Sequence, residues 1–304
     1  MEGLRKERFE RFILDLQDRI TEQLSAIDGK SEFLEDKWER PGGGGGRTRV
    51  IQNGEVFEKG GVNTSVVFGD LPKPMQVKFG VEAGKFYACG LSLVLHPENP
   101  KIPTVHANWR YFELFDEKDE RVDAWYGGGS DLTPYYLFED DAKHFHQIQK
   151  NALDQHDEAL YPQFKKACDE YFYNEHRNEG RGIGGTFFDY LRAGEEGLDF
   201  YEGMVMDMGK AFLPSYVPIV QKRRDLSFSD EERYFQEIRR GRYVEFNLVH
   251  DRGTLFGLKT KGRIESILMS LPPRVRWDYD FQVQPNSAEE NLIHCLQNPR
   301  EWIS

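Results

Sequence analysis

The sequence predicts a single α+β domain spanning residues 1–304, a large antiparallel β-sheet flanked on both faces by α-helices. Three observations carry this. Short apolar segments between residues 48 and 126 are punctuated by Pro, Gly and Asn, with links too short for a crossover helix, so pairing must be antiparallel. Longer stretches on either side carry apolar residues at helical spacing with polar faces between them. No repeat or shift in composition marks a second domain, and 304 residues with 38% hydrophobic content suffice for one large core.

Taken in order, residues 4–27 place Phe9, Phe12, Ile13, Leu16, Ile20, Leu24 and Ile27 at helical spacing, and Asp28-Gly29 ends the helix. A short helix is expected around Phe33 to Trp38. Pro41 then leads into Gly42 to Gly46. Candidate strands are 48–52, 64–69, 76–79, 86–96, 103–115 and 122–126. After Pro134 the character changes, and residues 139–177 and 195–240 read as helices separated by the glycine-rich segment Arg181 to Gly185. Strands are expected again at 242–249 and 254–260, joined by Asp251-Arg252-Gly253, with Val244, Phe246 and Leu248 on one face.

Composition excludes several classes. A net charge of −12 argues against nucleic-acid binding, which needs a basic surface; an anionic ligand would need positive groups held locally. Cys89, Cys168 and Cys295 are far apart without metal-ligand spacing and read as free thiols in a reducing compartment. The first residues are charged and no long apolar run follows, which argues against secretion and a membrane span. Residues 1–11 are basic but contain Glu2, Glu7 and Glu10, which transit peptides avoid. A cytoplasmic location is the expectation, with mitochondrion and plastid as alternatives.

The chemistry concentrates between Ser92 and Asp131. Residues 86–96 and 103–115 flank a loop containing Pro97, Pro100 and Pro103, which makes them a hairpin. Alternation places His106, Asn108 and Arg110 on one face of the second strand and Val105, Ala107 and Trp109 on the other, while Ser92, Val94 and His96 share a face of the first. If even positions pair with even, Ser92, His96, His106, Asn108 and Arg110 line one surface; a one-residue slip disperses them. Such a row is either the wet side of a half-exposed sheet or a pocket. Its imidazole, amide and guanidinium donors suit carboxylates and favour the pocket. Gly127, Gly128 and Gly129 would let backbone approach a ligand closely. Asp131 follows, either as a carboxylate that engages ligand N–H groups and takes a proton, or as a turn cap.

Weaker signals lie outside this segment. Gly42 to Gly46 and Arg181 to Gly185 could cradle anions, but neither has the ending of a phosphate loop, and the five glycines read equally as a flap or linker. Arg49, beside Arg47, supplies local positive charge, and Lys261, Gly262 and Arg263 form a second candidate for carboxylate binding. His144 and His146 diverge on a helix. His96, His106, His146 and His176 make a divalent-metal site only if the fold gathers them.

Several long strings in fixed order carry a resemblance: RPGGGGGR from Arg40, PTVHANWRYFE from Pro103, WYGGGSDLTPYY from Trp125, RGIGGTFFD from Arg181, GRYVEFNLVHDRGTLFGL from Gly241 and GRIESILMSLPP from Gly262. Across nearly its whole length the chain resembles oxygen-dependent coproporphyrinogen III oxidases. The resemblance implies a sheet of about seven strands between helices and a homodimer whose contact falls in region 241–277. It implies oxidative decarboxylation of two propionates of coproporphyrinogen III to vinyl groups, giving protoporphyrinogen IX in haem biosynthesis. O2 is the electron acceptor, and CO2 and H2O2 are released. Ser92, Asn108, Trp109, Arg110, Lys261, Gly262 and Arg263 fall at substrate contacts, His106 at the proton donor and Asp131 at the aspartate that engages pyrrole N–H groups. His96, His106, His146 and His176 match a divalent-metal set of bacterial members, although the family is regarded as working without metal or organic cofactor. A metal-dependent oxygenase and a non-catalytic tetrapyrrole carrier are the competing readings. Arg110 with Arg49 or Arg263 would clamp carboxylates, and replacing Asp131 with Ala is expected to abolish turnover with the fold intact.

Overall fold

The computed structural model describes residues 2–79, 84–192, 194–259 and 262–303. The apolar stripe of the first segment folds as α1 (Glu2–Asp28) and buries Phe9, Ile13, Leu16, Ile20 and Leu24. It lies on one face of a sheet built from β1 (Leu34–Glu39), β2 (Gly44–Gln52), β3 (Phe57–Asp70), β4 (Lys85–Pro97), β5 (Thr104–Phe115), β6 (Arg121–Thr133) and β9 (Gly185–Leu191). Between the last two come α3 (Glu139–Leu153), α4 (Leu160–Tyr171) and a small separate ladder of β7 (Tyr173–Asn174) with β8 (Glu179–Gly180). Among the described residues the main sheet has seven strands, ordered β1-β2-β3-β4-β5-β6-β9 and antiparallel at every junction. The expected α+β class is borne out.

Alternation decides what each face does. Leu91, Leu93 and Leu95 on β4, Val105, Ala107, Trp109 and Tyr111 on β5, and Tyr126 and Leu132 on β6 are all buried on the face under α1 and α5 (Glu195–Arg223). Trp109 packs edge-on against Phe212 of α5 at 6.1 Å. The even-numbered side chains of β4 and β5 therefore point the other way, toward α6 (Asp230–Val249), whose Tyr243 meets the His96 ring edge-on at 5.3 Å.

Several expected elements are corrected. The short helix at 33–38 is edge strand β1, paired from Leu34↔Val50 to Glu39↔Gly45. Its six residues carry no apolar stripe, and the turn at Gly43 (φ 114) and Gly44 (φ 82) folds them onto β2. The five glycines are thus a turn and a strand rather than a flap. Residues 76–79 lie in a helix, α2 (Lys73–Phe79), with Pro74 in its first turn. The long helix at 139–177 divides into α3 and α4, and that at 195–240 breaks between Arg223 and Asp230. The hairpin expected at 242–249 and 254–260 is helical. Ser229 and Glu232 form a capping box that starts α6, which runs unbroken to Val249, and Asp251 accepts from Thr254 N at 2.7 Å as α7 (Arg252–Lys259) begins. Val244 and Phe246 fit a strand period, but the buried series Phe235, Ile238, Tyr243 and Phe246 is helical, and Leu248 is 40% exposed. Residue 260 lies outside the described residues. The sheet's last strand comes from the RGIGGTFFD segment instead, whose Gly184 (φ 81) and Gly185 (φ 154) turn the chain onto β6.

Asp28 fastens the end of α1 to the loop before β3. Its carboxylate accepts from the backbone N–H groups of Ser31 at 2.9 Å, Glu55 at 3.1 Å, and Val56 and Phe57 at 2.9 Å each. Burial pushes this carboxyl up, but the four donors outweigh it and hold it below the usual range. A depressed folded value means that the contribution is complete above the unfolded carboxyl value of about 3.9 and is lost as pH falls through the folded value. Asp28→Asn should therefore lower stability at neutral pH and shrink that difference in strong acid, as read from urea midpoints at both pH values. Gly129 (φ 150) is a second vulnerable point, since a Cβ there would lie 2.1 Å from the Thr186 carbonyl oxygen of β9. Gly129→Ala should cost about 2–4 kcal/mol by chemical denaturation, and a cost below about 0.5 kcal/mol would contradict this packing.

Candidate active site

The register pairs even with even. Val94 faces His106, Ser92 faces Asn108 and Gly90 faces Arg110; across the next junction His106 faces Asp131, Asn108 faces Gly129 and Arg110 faces Gly127. A polar row consequently crosses the sheet through Thr48, Asn63, Ser92, Asn108 and Gly129. Ser92 is exposed although β4 is the central strand, so this face opens to solvent. The neighbouring row, Gly46, Ser65, Gly90, Arg110 and Gly127, carries one large side chain among small ones and leaves a groove along the sheet.

The groove has defined walls. At one end α8 (Ile264–Leu268) bonds to the row, Ser266 Oγ at 2.9 Å from Thr48 Oγ1 and its carbonyl accepting from Asn63 Nδ2 at 3.1 Å. Met269 occupies the space Gly61 leaves free, for a Cβ at Gly61 would fall 1.7 Å from the Met269 sulfur. The Trp38 ring covers Gly46 in the same way. Along the sheet, Phe86, Phe112, Trp125 and Tyr190 form an aromatic ladder with centroid steps of 5.9, 4.3 and 5.3 Å. Arg110, with its side chain 39% exposed, projects from the floor, held by Asn108 Oδ1 at 2.8 Å and Asp189 at 3.0 Å. A Cβ on Gly127 would collide with both members of the Arg110–Asp189 pair, which explains the glycine.

Beside the row lies a buried charge array. Asp131, 2% exposed, accepts from His106 Nδ1 at 2.6 Å through Oδ1 and from Arg181 Nη2 at 2.7 Å through Oδ2. A carboxylate partner at Nδ1 assigns the ring proton to that nitrogen, which leaves Nε2, 3.4 Å from Asn108 Nδ2, as the basic atom on the groove side. Burial pushes the Asp131 carboxyl up, yet the Arg181 charge and the hydrogen bonds from His106 and Arg181 outweigh it and keep it low and ionised. The His106 ring is also braced edge-on by Phe172 at 5.7 Å. This set can bind an anion at Arg110 and pass a proton at His106 Nε2.

Ser92, His106, Asn108, Arg110 and Asp131 come together as the sequence predicts. Other candidates do not. Arg49 points to the α1 side of the sheet and is held by Glu35 at 2.8 Å, Asp18 at 2.7 Å and Thr21 at 2.7 Å, because odd positions of β2 face that helix. Trp109 is fully buried on the same side, so it touches the groove only through its backbone. Arg263 pairs with Asp36 and Ser266 at the α8 wall, Gly262 N bonds to the Gly257 carbonyl, and Lys261 lies outside the described residues. The four histidines are not gathered. His96 bonds to Thr104 at 3.1 Å and the Ser270 carbonyl at 2.8 Å; His146 bonds to Tyr161 at 2.9 Å and the Ile183 carbonyl at 3.2 Å. Burial pushes His146 down to about 3 and His96 well below its ordinary value. His176 is on the surface with His250 and Glu245. Among the described residues, no group of three or more His, Cys, Asp or Glu side chains is arranged to hold a metal, and the four-histidine set does not fit one. Sequence reasoning missed Asn63, Arg181 and Asp189. Arg181 precedes and Asp189 lies within β9, a strand the sequence pattern leaves unassigned, and Asn63 immediately precedes the strand expected at 64–69.

Sequence comparisons agree with the motifs. A model of the coproporphyrinogen III oxidase family matches residues 8–302. The chain belongs to the coproporphyrinogen III oxidase family. Among similar proteins, one from Glycine max named oxygen-dependent coproporphyrinogen-III oxidase, chloroplastic, is 50% identical over 310 residues, 97% of this chain and 79% of that protein. One from Arabidopsis thaliana named coproporphyrinogen-III oxidase 1, chloroplastic, is 49% identical over the same shares. Among the described residues, no helix is long and apolar enough to cross a membrane.

The burial of Arg181 changes one expectation for this family member. Asp131→Ala would leave that guanidinium uncompensated, so the fold should not be untouched. A loss of about 3–5 kcal/mol is expected by chemical denaturation, and a loss below about 1 kcal/mol would contradict the buried pair.

Proposed function

We propose that the groove over β4, β5 and β6 is the site at which this chain converts two propionates of coproporphyrinogen III to vinyl groups with O2. The observation that carries the reading is the open polar row beside a buried Asp131–His106 pair, in a chain of this family. For each propionate, the carbon next to the pyrrole loses a hydrogen with its electron pair, the carboxylate leaves as CO2, and a C=C bond forms. O2 takes the two electrons, the hydrogen and one further proton to become H2O2.

The residues have separable tasks. Arg110 binds a propionate carboxylate, and Ser92, Asn108 and Asn63 orient the remaining polar groups by hydrogen bonds. The small side chains at Gly90 and Gly127 let the macrocycle lie close to the sheet, with the aromatic ladder along one border. His106 relays a proton at Nε2, accepting it from a pyrrole N–H and passing it to the reduced oxygen, and Asp131 holds the ring in the tautomer that leaves this nitrogen unprotonated and able to accept. Asp131 acts chiefly through His106, since both its oxygens are already engaged. Leu248, Val249, Trp277 and Tyr279 are 40, 56, 52 and 102% exposed around region 241–277. That apolar surface supports a homodimer contact there, tested by equilibrium sedimentation. Cytosol and plastid are distinguished by fractionating source cells.

Supplying coproporphyrinogen III with and without O2 tests the assignment. Protoporphyrinogen, CO2 and H2O2 should form only with O2, whereas bound but unchanged substrate would mark a carrier. Arg110→Gln should raise KM about 10–100-fold with a smaller effect on kcat. His106→Gln should lower kcat by about 10²–10⁴-fold with KM nearly unchanged. Equal effects on both parameters in both variants would overturn these roles.

A further inference from the structure

Arg181 is a buried cation behind His106, its Nη2 3.5 Å from the Nδ1 of that ring. It is 4% exposed and sits at the start of the segment that feeds β9, its own N–H bonded to the Phe172 carbonyl at 2.8 Å. Nη2 donates to Asp131 at 2.7 Å and Nη1 to Asn247 of α6 at 2.9 Å. The guanidinium carbon lies 4.0, 4.8 and 5.0 Å from the ring centres of Phe172, Tyr243 and Phe246. Three parts of the fold thus fix its orientation. A buried cation held this closely needs a reason beyond packing, because its desolvation costs several kcal/mol.

We propose that Arg181 is a positioning residue for the reaction: by fixing Asp131 as an ionised acceptor it keeps the His106 proton on Nδ1 and leaves Nε2 bare toward the groove. This rests on the reading of His106 as the proton carrier. Without the cation, the buried carboxylate of Asp131 has two ways to lose its uncompensated charge. It takes a proton and donates it to His106 Nδ1, or it draws a second proton onto the imidazole. Both routes place a hydrogen on Nε2, the atom that must be bare. Asn247 and the three aromatic rings set the angle of the guanidinium and so the direction from which Asp131 is held.

The full-length chain with Arg181→Met, Arg181→Lys and, separately, Asn247→Ala tests this, read by steady-state kinetics and by nitrogen-15 NMR of the histidine side chains at neutral pH. In the unaltered protein His106 should show Nδ1–H with Nε2 unprotonated. Arg181→Met should show Nε2 protonated and lose about 10²-fold or more in kcat, with KM changed by less than about threefold. Arg181→Lys should regain at least about tenfold of that loss and restore the Nδ1–H signature, because an ammonium supplies the charge. Asn247→Ala keeps the charge and loosens its orientation, so it should lower kcat about 3–10-fold at constant KM; it remains decisive if the methionine variant does not fold. An unaltered Nδ1–H signature in Arg181→Met, a lysine variant no better than methionine, or a KM that rises as kcat falls would overturn the proposal. A changed tautomer with unchanged kcat would uphold the grip of Arg181 on the ring and refute His106 as the proton carrier.

Discussion

Register between β4 and β5 governs everything the site can do. Leu91, Leu93, Ala107 and Trp109 must all meet the helices on one side, and that requirement alone sends Ser92, His106, Asn108 and Arg110 to the other. Slipping one strand by a residue would expose Trp109, whose side chain buries roughly 200 Å². At about 25 cal/mol per Å² this is near 5 kcal/mol for one residue, before Arg110 is driven into the core. The core therefore enforces the placement of the polar row, and the catalytic geometry follows from apolar packing on the opposite face.

The polar face uses glycine as a design element. Gly61 admits Met269, Gly46 admits Trp38, Gly127 admits the Arg110–Asp189 pair, and Gly129 admits the β9 backbone. Each missing side chain lets something else approach closely, and Met269 and Trp38 become walls of the groove. Asp131 stands apart from these positions because its surroundings are closed. Its charge is spent within the protein on His106 and Arg181, so its influence on a ligand passes through the imidazole.

Much of this was legible in the sequence, for physical reasons. The β4–β5 hairpin declared itself through alternation and three prolines, and the parity argument correctly grouped Ser92, His106, Asn108 and Arg110. The α1 stripe was equally plain. Failures share a cause: local pattern without knowledge of tertiary partners. Val244, Phe246 and Leu248 alternate like a strand, but the capping box of Ser229 and Glu232, 12 to 19 residues earlier, commits the segment to a helix. Leu34 to Glu39 lacks apolar periodicity altogether, and only the glycine turn onto β2 makes it a strand. Arg49 looked like available charge because nothing in its neighbourhood shows that odd positions of β2 face α1, where Asp18 and Glu35 wait. Arg181 reads in sequence only as the start of a glycine-rich segment that could cradle an anion, since its partner Asp131 lies 50 residues away and the β6–β9 pairing that joins them has no local signal.

The most direct measurement is a crystal structure with a tetracarboxylate tetrapyrrole that resists oxidation. The account predicts the macrocycle over Ser92, Asn108 and Gly129, one carboxylate at Arg110, and a side chain within hydrogen-bond reach of His106 Nε2. A ring bound elsewhere on the molecule, with this face of the sheet empty, would contradict it.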